Sequence, residues 1–411
     1  MAQREAWSAR YAQVRAESLA LAAPLSAEDQ CVQSMPDASP TKWHLAHTSW
    51  FFEAVVLGAH DEGYRSFDAR FFHLFNSYYE QLGPRHPRPQ RGLLTRPSLA
   101  EVHAYRAHVD EAMQRFIESA DGDAWRAAEG LIELGLNHEQ QHQELMLTDI
   151  LHAFSCSPLL PAYRSDDATP PRLANTAGES IWLEGPAGVV EVGHGSQEGF
   201  AFDNETPRHR VVLAPYRIAH RLVTCGEYAL FMADGGYERA TLWLSDGWAA
   251  VQAHGWKAPA YWIAPRDTRL SGAGARSGDG WHVFGLRGVQ PLDAAAPVTH
   301  LSFYEAAAYA QWAGARLPTE FEWEAAHALA GITQLTGHAW QWTRSSYDPY
   351  PGFRPLAGAV GEYNGKFMVG QLVLRGGSAA TPAGHTRPTY RNFFPPAARW
   401  QMSGIRLAED A

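Results

Sequence analysis

The stretch LNHEQQHQELMLTDILHAF, residues 136–154, decides how the first half of this chain folds. Its apolar residues recur at helical spacing, and His138 and His142 stand four residues apart, so both imidazoles lie on one helix face. Leu134 and Leu145 share that face, which predicts that the pair points inward. Because neutral imidazole is the commonest protein ligand for divalent metals, two histidines on a buried stripe predict a metal site.

The rest of the first half is also helical in pattern. We predict helices over 5–22, 42–60, 98–119 and 124–154. Ser98 and Glu101 have the spacing of a capping box, which marks the start of the third helix. Residues 61–97 are predicted to be a long loop without regular structure, and their aromatic and arginine content indicates a functional loop.

After residue 155 the pattern changes to short strands, glycine-rich turns and few helices. Strands are predicted at 189–193, 210–214, 373–375 and 405–407, and helices at 224–233 and 302–313. The chain of 411 residues, 45% hydrophobic and 19% charged, is long enough for two folded domains. We therefore expect an α+β protein with a helical domain over 1–160, a Pro- and Ser-rich linker over 161–180, and an irregular α+β domain over 181–411.

Composition also excludes some classes of partner. A net charge of −10 argues against nucleic-acid binding. The three cysteines, an odd number without paired spacing, indicate a reducing compartment rather than a disulfide framework. The start of the chain has no apolar signal-peptide core, and no apolar run approaches the roughly 20 residues that cross a bilayer. The expectation is a cytoplasmic protein with no membrane partner.

The pentapeptide HEQQH also satisfies the H-E-x-x-H pattern of zinc proteases, which is the main competing class. In those enzymes the glutamate, here Glu139, acts as general base toward metal-bound water. Two features weigh against that interpretation. No third ligand follows at the H-x-x-G-x-x-H spacing, and a protease gives no reason for the C-terminal domain.

Four motifs in one order carry a family resemblance: WHLAHTSWFFE at 43–53, NHEQQHQELML at 137–147, RLPTEFEWEAAH at 316–327 and YRNFFPPAARWQMSGIRLA at 390–408. Together they resemble the sulfoxide synthases of ergothioneine biosynthesis, the hercynine oxygenases, over nearly the whole chain. The resemblance implies a DinB-like four-helix bundle followed by a C-type-lectin-like formylglycine-generating-enzyme (sulfatase-modifying factor) domain. It also implies an iron(II)- and dioxygen-dependent oxidoreductase that joins L-cysteine to the imidazole C2 of hercynine (trimethylhistidine) and oxidises the sulfur to the sulfoxide.

The resemblance implies that His47, His138 and His142 hold the iron. Spacing alone leaves His44 and His47 open as the ligand from the second helix, and the resemblance selects His47, leaving His44 as a structural or surface residue. Three neutral imidazoles leave about half of an octahedral ferrous ion open for substrates. The same imidazoles also suit zinc or nickel, so the metal itself is not determined by these residues.

Tyr78 and Tyr79 resemble the tyrosine pair of the cysteine-using branch of the family, which implies a catalytic role. A phenol beside the metal can donate a proton or hydrogen atom during oxygen activation, whereas the alternative is that both rings only pack. In the same loop Arg88 and Arg91 are expected to bind the α-carboxylate of cysteine, because a guanidinium matches a carboxylate bidentately. The alternative for the arginines is a solvated basic loop.

Hercynine is expected to contact aromatic and amide side chains. Quaternary ammonium groups bind to aromatic faces and an amide can hold a carboxylate. Those needs suggest Asn392, Phe393 and Phe394 from the C-terminal domain, with Trp43 one helical turn before His47. Gln141 is expected to orient the substrate imidazole, in a cleft between the domains. The alternative for the aromatic residues is ordinary core packing.

Two alternatives for the function stay open. The first keeps the chemistry but uses γ-glutamylcysteine or a selenium compound as donor. The second is a DinB-type metal-dependent hydrolase or thiol transferase with a lectin-like binding module. Formylglycine-generating activity is not expected, because those enzymes use a cysteine pair and the C-terminal half here contains only Cys225.

Overall fold

The computed structural model describes residues 2–164, 178, 180–195, 198–272, 280–356, 358–362 and 364–411. The chain forms two compact units. The first comprises Met1–Ser157 and Leu356–Tyr363, and the second comprises Pro158–Pro355 and Asn364–Ala411. Most of the predicted linker, residues 165–177 and 179, lies outside the described residues. Within the described part of the chain, no helix combines the length and apolar character needed to span a membrane.

Long helices build the first unit, as the periodicity predicts. They are α1 (Ala2–Ala22), α2 (Thr41–Phe51), α5 (Leu99–Ser119) and α6 (Gly122–Ser155), with the short α3 (Gly58–His60) and α4 (Phe71–Leu74) between them. α1 and α2 each pack against both α5 and α6. The predicted capping box at Ser98 and Glu101 is present. The N-terminus of α6 is capped by Asp121, whose carboxylate accepts hydrogen bonds from two backbone N–H groups.

The predicted helix over 42–60 keeps its direction but changes its hydrogen bonding. After α2 the backbone continues as a π-helical segment, Phe52–Leu57, and then as α3. π-helical turns are rare and frequently lie at functional sites. Here the segment follows directly on the helix that carries His47.

The prediction that 61–97 lacks regular structure is wrong. The segment contains α4 and two 3-10 turns, Glu80–Leu82 and Arg88–Leu93. Asn76 shapes the bend before the first turn, because its side chain donates to the carbonyls of Tyr79 and Gly83 and accepts from the Tyr79 N–H. Such local bonds between side chain and backbone leave no hydrophobic period in the sequence.

The second unit is a set of small sheets with short helices. Its strands are β1 (Trp182–Glu184), β2 (Gly188–Val192), β3 (His209–Leu213), β4 (Tyr216–Ala219), β5 (Trp262–Ile263), β6 (His282–Gly285), β7 (Gly288–Pro291), β8 (Trp340–Ser346), β9 (Leu372–Arg375), β10 (Asn392–Phe394), β11 (Ser403–Gly404) and β12 (Ala408–Asp410). Its helices are α7 (Cys225–Ala233), α8 (Ser245–His254), α9 (Arg269–Gly272), α10 (Phe303–Trp312) and α11 (Glu320–Ala325).

The strand orders are β1-β4-β12, β10-β9-β8-β11, β5-β6-β7 and β2-β3. The predicted strands at 189–193, 210–214 and 373–375 are confirmed as β2, β3 and β9, and both predicted helices are confirmed as α7 and α10. The prediction of a strand at 405–407 is wrong. These residues lie between β11 and β12, and the carbonyls of Ile405 and Leu407 accept single bonds from Val223 and Ala219 instead of joining a ladder.

The RLPTEFEWEAAH motif supplies the buried charge network of the second unit. Glu320 of α11 accepts hydrogen bonds from the guanidiniums of Arg375 and Arg391, and all three side chains are almost fully buried. A network of this kind is costly to break, because removing one partner leaves an uncompensated charge in the core. Glu320 therefore has a structural role.

A substitution at Gly135 tests how closely α6 approaches the aromatic residues that follow His47. A Cβ at Gly135 would lie 2.6 Å from a ring carbon of Phe52 and 3.0 Å from one of Phe51. Gly135→Ala should therefore lower the free energy of unfolding by about 1–3 kcal/mol, as overpacking does. Gly130→Ala is the matched control on the same helix, because nothing lies within 4 Å of its Cβ position. It should raise stability by up to about 1 kcal/mol through helix propensity. Urea unfolding measures both, and equal effects would contradict the packing described.

Candidate metal centre

Three histidines converge inside the helical unit. His47 comes from α2, and His138 and His142 come from α6. One ring nitrogen of each lies within 4.8 Å of those of the other two. Within the described residues, this is the one cluster of three or more histidine, cysteine or acidic side chains with such spacing. The arrangement matches what a single metal ion bound by three imidazoles requires.

The roll of α6 about its axis is set by Glu139. This residue is 0% exposed, and its carboxylate accepts hydrogen bonds from Arg15 (2.8 Å), Arg106 (2.5 Å) and Ser18 (2.6 Å). Arg15 and Ser18 belong to α1 and Arg106 to α5. Because adjacent helical residues point about 100° apart, holding Glu139 toward α1 and α5 leaves His138 directed toward α2.

The same geometry weighs against the zinc-protease interpretation. The neighbouring arginines and the Ser18 hydroxyl overcome burial and lower the pKa of Glu139 from 4.5 to about 2. A general base needs a pKa near the operating pH and reach to the attacking water. Glu139 has neither property, because its oxygens are engaged by the arginines of α1 and α5.

The imidazole of His47 is oriented for metal binding. Its Nδ1–H donates to the backbone carbonyl of Phe75 at 2.6 Å, so its Nε2 carries the lone pair. That Nε2 is buried and has no hydrogen-bond partner among the described residues. A buried polar atom of this kind costs free energy unless something binds it. The three imidazoles therefore fit a divalent metal.

Burial keeps the three imidazoles neutral. It holds the pKa of His47 and of His142 well below the usual range, and the neighbouring histidines add to the effect. Burial also lowers the pKa of His138 to about 3. Neutral imidazole is the ligating form, so the cluster is in its metal-binding state across the physiological pH range.

A stack of side chains extends the site beyond the histidines. The Trp43 ring stacks on His47 with centroids 4.6 Å apart, and the guanidinium carbon of Arg91 lies 3.4 Å from the centre of the Trp43 ring. Arg91 is buried and donates to the hydroxyls of Ser39 and Ser77, both at 3.0 Å. Among the described residues, no carboxylate forms an ion pair with it. Burial lowers the pKa of Arg91, and the positive charges of Arg88 and Arg85 lower it further.

The other predicted arginine lies elsewhere. Arg88 is exposed, and its guanidinium donates to the backbone carbonyl of Asp37. Arg91 therefore contacts Trp43, which stacks on His47 of the cluster, while Arg88 lies on the surface. A direct role of Arg88 in substrate binding remains a prediction.

The predicted tyrosines differ in burial. Tyr79 is fully buried against Trp50 (5.5 Å between centroids) and Phe51 (6.3 Å). Those two rings in turn contact His47 and His138, so one aromatic layer links Tyr79 to the cluster. Tyr78 is partly exposed, packs on Tyr79 at 4.8 Å and interacts electrostatically with Arg91.

The residues predicted to bind hercynine lie on both units. Gln141 is partly exposed beside His142 on α6. In the second unit, the side-chain oxygen of Asn392 accepts from the Phe393 N–H, Phe393 stacks on Tyr347 at 4.0 Å, and Phe394 packs near Trp400. Their contact with a substrate remains a prediction.

Sequence reasoning missed part of the environment of the centre. His44 is a buried residue whose ring bonds to His142 and to Asp149. Asp149 follows His142 by seven residues, two helical turns, and therefore lies on the same face of α6. The separation of seven residues between His142 and Asp149 was the sequence signal that could have placed Asp149 on the face of the cluster.

Comparison with known proteins connects this geometry to a family. The profile of the DinB superfamily matches residues 10–146, and that of the sulfatase-modifying factor enzyme 1-like domain matches 167–334 and 327–411. A hercynine oxygenase of Mycolicibacterium thermoresistibile is 33% identical, over 91% of this chain and 88% of the relative. The chain belongs to the hercynine oxygenase family. A second member, from Mycobacterium tuberculosis, is 32% identical over 92% of this chain and 93% of its own length. The predicted fold and the predicted enzyme class, an oxygenase, are thereby confirmed.

The second unit is also similar to a different enzyme. The formylglycine-generating enzyme of Streptomyces coelicolor is 32% identical over 44% of this chain and 55% of its own length. In this member of the hercynine oxygenase family, Cys225 is buried and its thiol donates toward the carbonyl of Pro297. Burial raises the pKa of that thiol to about 12, so Cys225 is not a thiolate at neutral pH.

Glu139→Gln tests whether Glu139 is structural. The change leaves two buried arginines short of a counter-charge, so stability at pH 7 should fall by about 3–5 kcal/mol. Because the pKa of Glu139 is lowered from 4.5 to about 2, its contribution is fully present above pH 4.5 and is lost as the pH falls toward 2. The difference between wild type and variant in urea unfolding should therefore shrink over that interval.

Glu133→Gln is the control, because Glu133 lies on α6 like Glu139 and forms a more exposed ion pair with Arg10 of α1. Its effect should stay below about 1 kcal/mol. If Glu139→Gln unfolds like the wild type, the structural role of Glu139 is contradicted.

Proposed function

We propose that this protein joins the sulfur of L-cysteine to the imidazole C2 of hercynine and oxidises the sulfur to the sulfoxide, using iron(II) and dioxygen. The observation that carries the proposal is a cluster of three neutral imidazoles beside a buried guanidinium that forms no ion pair with any described carboxylate. The reaction balances. One C–H and one S–H bond are lost, a C–S and an S–O bond form, and dioxygen supplies one oxygen to sulfur and one to water.

In this proposal His47, His138 and His142 would hold the iron, which when bound supplies a binding position for the thiolate and the means to activate dioxygen. The chain contributes uncharged ligands, since burial keeps each imidazole neutral. It also contributes a dry, aromatic wall, because Trp43, Trp50 and Phe51 surround the cluster. Holding several reactants at one place lowers the entropic barrier to their reaction.

Arg91 is the proposed binding group for the carboxylate of cysteine. Its guanidinium is already fixed by Trp43 and by two serine hydroxyls, so little side-chain entropy is lost when an anion binds. A carboxylate would also supply the missing counter-charge to a cation that is 4% exposed. Charge-assisted hydrogen bonds to a buried arginine are among the strongest that proteins form.

Tyr78 and Tyr79 are the proposed donors of a proton or hydrogen atom. Tyr79 packs against the rings of Trp50 and Phe51. Tyr78 packs on Tyr79 and interacts electrostatically with Arg91. Tyr78 thus interacts with the residue proposed to bind the carboxylate of the thiol substrate. Gln141, Asn392, Phe393 and Phe394 are the proposed contacts of hercynine.

The direct test is to incubate the iron-loaded protein with hercynine, cysteine and air, and to identify the products by mass spectrometry. We expect a product with the mass of hercynine plus cysteine plus one oxygen, less two hydrogens. Cysteamine, which lacks the carboxylate, should react roughly 10- to 100-fold less efficiently, because Arg91 then binds nothing.

The other outcomes separate the alternatives. If the adduct forms only with γ-glutamylcysteine or a selenium donor, the choice of donor is wrong and the chemistry stands. If no donor gives an adduct although iron is bound, the synthase proposal fails and the metal-hydrolase class replaces it.

The tyrosines are tested by the product ratio. Replacing both Tyr78 and Tyr79 with Phe should shift turnover from sulfoxide toward simple oxidation of the thiol, because the proton or hydrogen donor is lost. Single variants then show which phenol acts, since each keeps the packing of its ring. An unchanged ratio of sulfoxide to oxidised thiol in the double variant would remove both residues from the mechanism.

A further inference from the structure

A chain of buried and partly buried hydrogen bonds ends on His142, one of the two histidines that α6 contributes to the cluster. Nδ1 of His142 lies 2.8 Å from Nδ1 of His44, and Nε2 of His44 lies 3.0 Å from a carboxylate oxygen of Asp149. His44 is 2% exposed and Asp149 is 6% exposed. Buried polar chains of this kind are expensive unless each member is satisfied, so the direction of each bond matters.

The chemistry of the end groups sets that direction. A carboxylate only accepts, so Nε2 of His44 must donate to Asp149. With His44 in its neutral form, Nδ1 is its remaining acceptor nitrogen, and Nδ1 of His142 donates to it. Nε2 of His142 is left with the lone pair. The chain therefore selects the one tautomer of His142 that presents a ligand atom at Nε2.

We infer that Asp149 and His44 are positioning residues that fix the tautomer and ring orientation of His142 for metal binding. The inference rests on the proposed metal centre. A hydrogen-bonded partner on the non-ligating nitrogen fixes the orientation of a ligating histidine, and it raises its basicity as a ligand.

Asp149 has a second branch that reaches the proposed carboxylate site. The same carboxylate oxygen accepts from the backbone N–H of Ser39 at 2.8 Å, and the Ser39 hydroxyl accepts from Arg91 at 3.0 Å. Asp149 thus places one of the two hydroxyls that hold the guanidinium. Asp149 is hydrogen-bonded to both branches, whereas the hydrogen bonds of His44 lead only to His142 and Asp149.

The experiment uses cobalt(II) alone as the probe, titrated into the metal-free full-length chain. The dissociation constant comes from competition with a chelator, and the visible absorption of bound cobalt reports ligand geometry. His44→Phe and Asp149→Asn should weaken cobalt binding roughly 10- to 100-fold and alter the spectrum. His44→Gln should restore affinity to within a few-fold, because its amide oxygen can accept from His142 and its amide N–H can donate to Asp149.

The control is His108→Phe on α5, which deletes one hydrogen bond from a histidine to the backbone carbonyl of Arg65 and should leave cobalt binding unchanged. The KM for cysteine separates the effect of Asp149 on His142 from its effect on Ser39 and Arg91. In the iron enzyme, Asp149→Asn should also raise the KM for cysteine, whereas His44→Phe should not.

The possible outcomes distinguish failure of the positioning role from failure of the proposed metal centre. If His47→Ala binds cobalt as well as the wild type does, the three-histidine centre itself fails. If His47→Ala loses cobalt but His44→Phe and Asp149→Asn keep the affinity and spectrum of the wild type, only the positioning role is overturned. Should His44→Phe not fold, Asp149→Asn decides by the same criteria.

Discussion

The buried ion cluster around Glu139 is the constraint on which the rest of the helical unit depends. Arg15 from α1 and Arg106 from α5 both bind this carboxylate, and it is completely enclosed. Buried ion pairs contribute little net stability, but they strongly disfavour any arrangement that separates the partners. Since His138 is the preceding residue on the same helix, the rotation that satisfies Glu139 is also the rotation that aims the histidines at α2.

Around that constraint the site is built from opposing demands on charge. Burial keeps the imidazoles neutral, which suits metal binding, and it also destabilises the cation of Arg91 a short distance away. A buried site that holds neutral ligands and a cation without an ion-pair partner among the described residues favours an anionic ligand over a neutral one. An amino-acid thiol has both a carboxylate for the guanidinium and a sulfur for the metal, so the chemistry of the proposed substrate complements that of the site.

The sequence predicts what depends on local periodicity. The long helices, the capping box at Ser98 and the facing pair His138 and His142 follow from spacing within one segment. His47 could not be separated from His44 by spacing, because both point into the bundle and only contacts across helices distinguish their roles. The proposed ligand role of His47 rests on family resemblance and on its buried Nε2, which bonds to no described residue.

What the sequence could not provide are interactions between distant segments. The pairing of Glu139 with two arginines, the exposure of Arg88 and the bond from His47 to the Phe75 carbonyl join residues far apart in the chain. The error at 405–407 has the same origin, since an apolar extended run becomes a strand only if a neighbour offers a ladder.

The most direct test of the account is X-ray absorption spectroscopy of the iron(II)-loaded protein, with and without cysteine. We expect scattering from three imidazole rings and no protein sulfur, with one sulfur ligand added when cysteine binds. Fewer than three imidazoles, a carboxylate in their place, or no sulfur signal after cysteine is added would contradict the proposed centre.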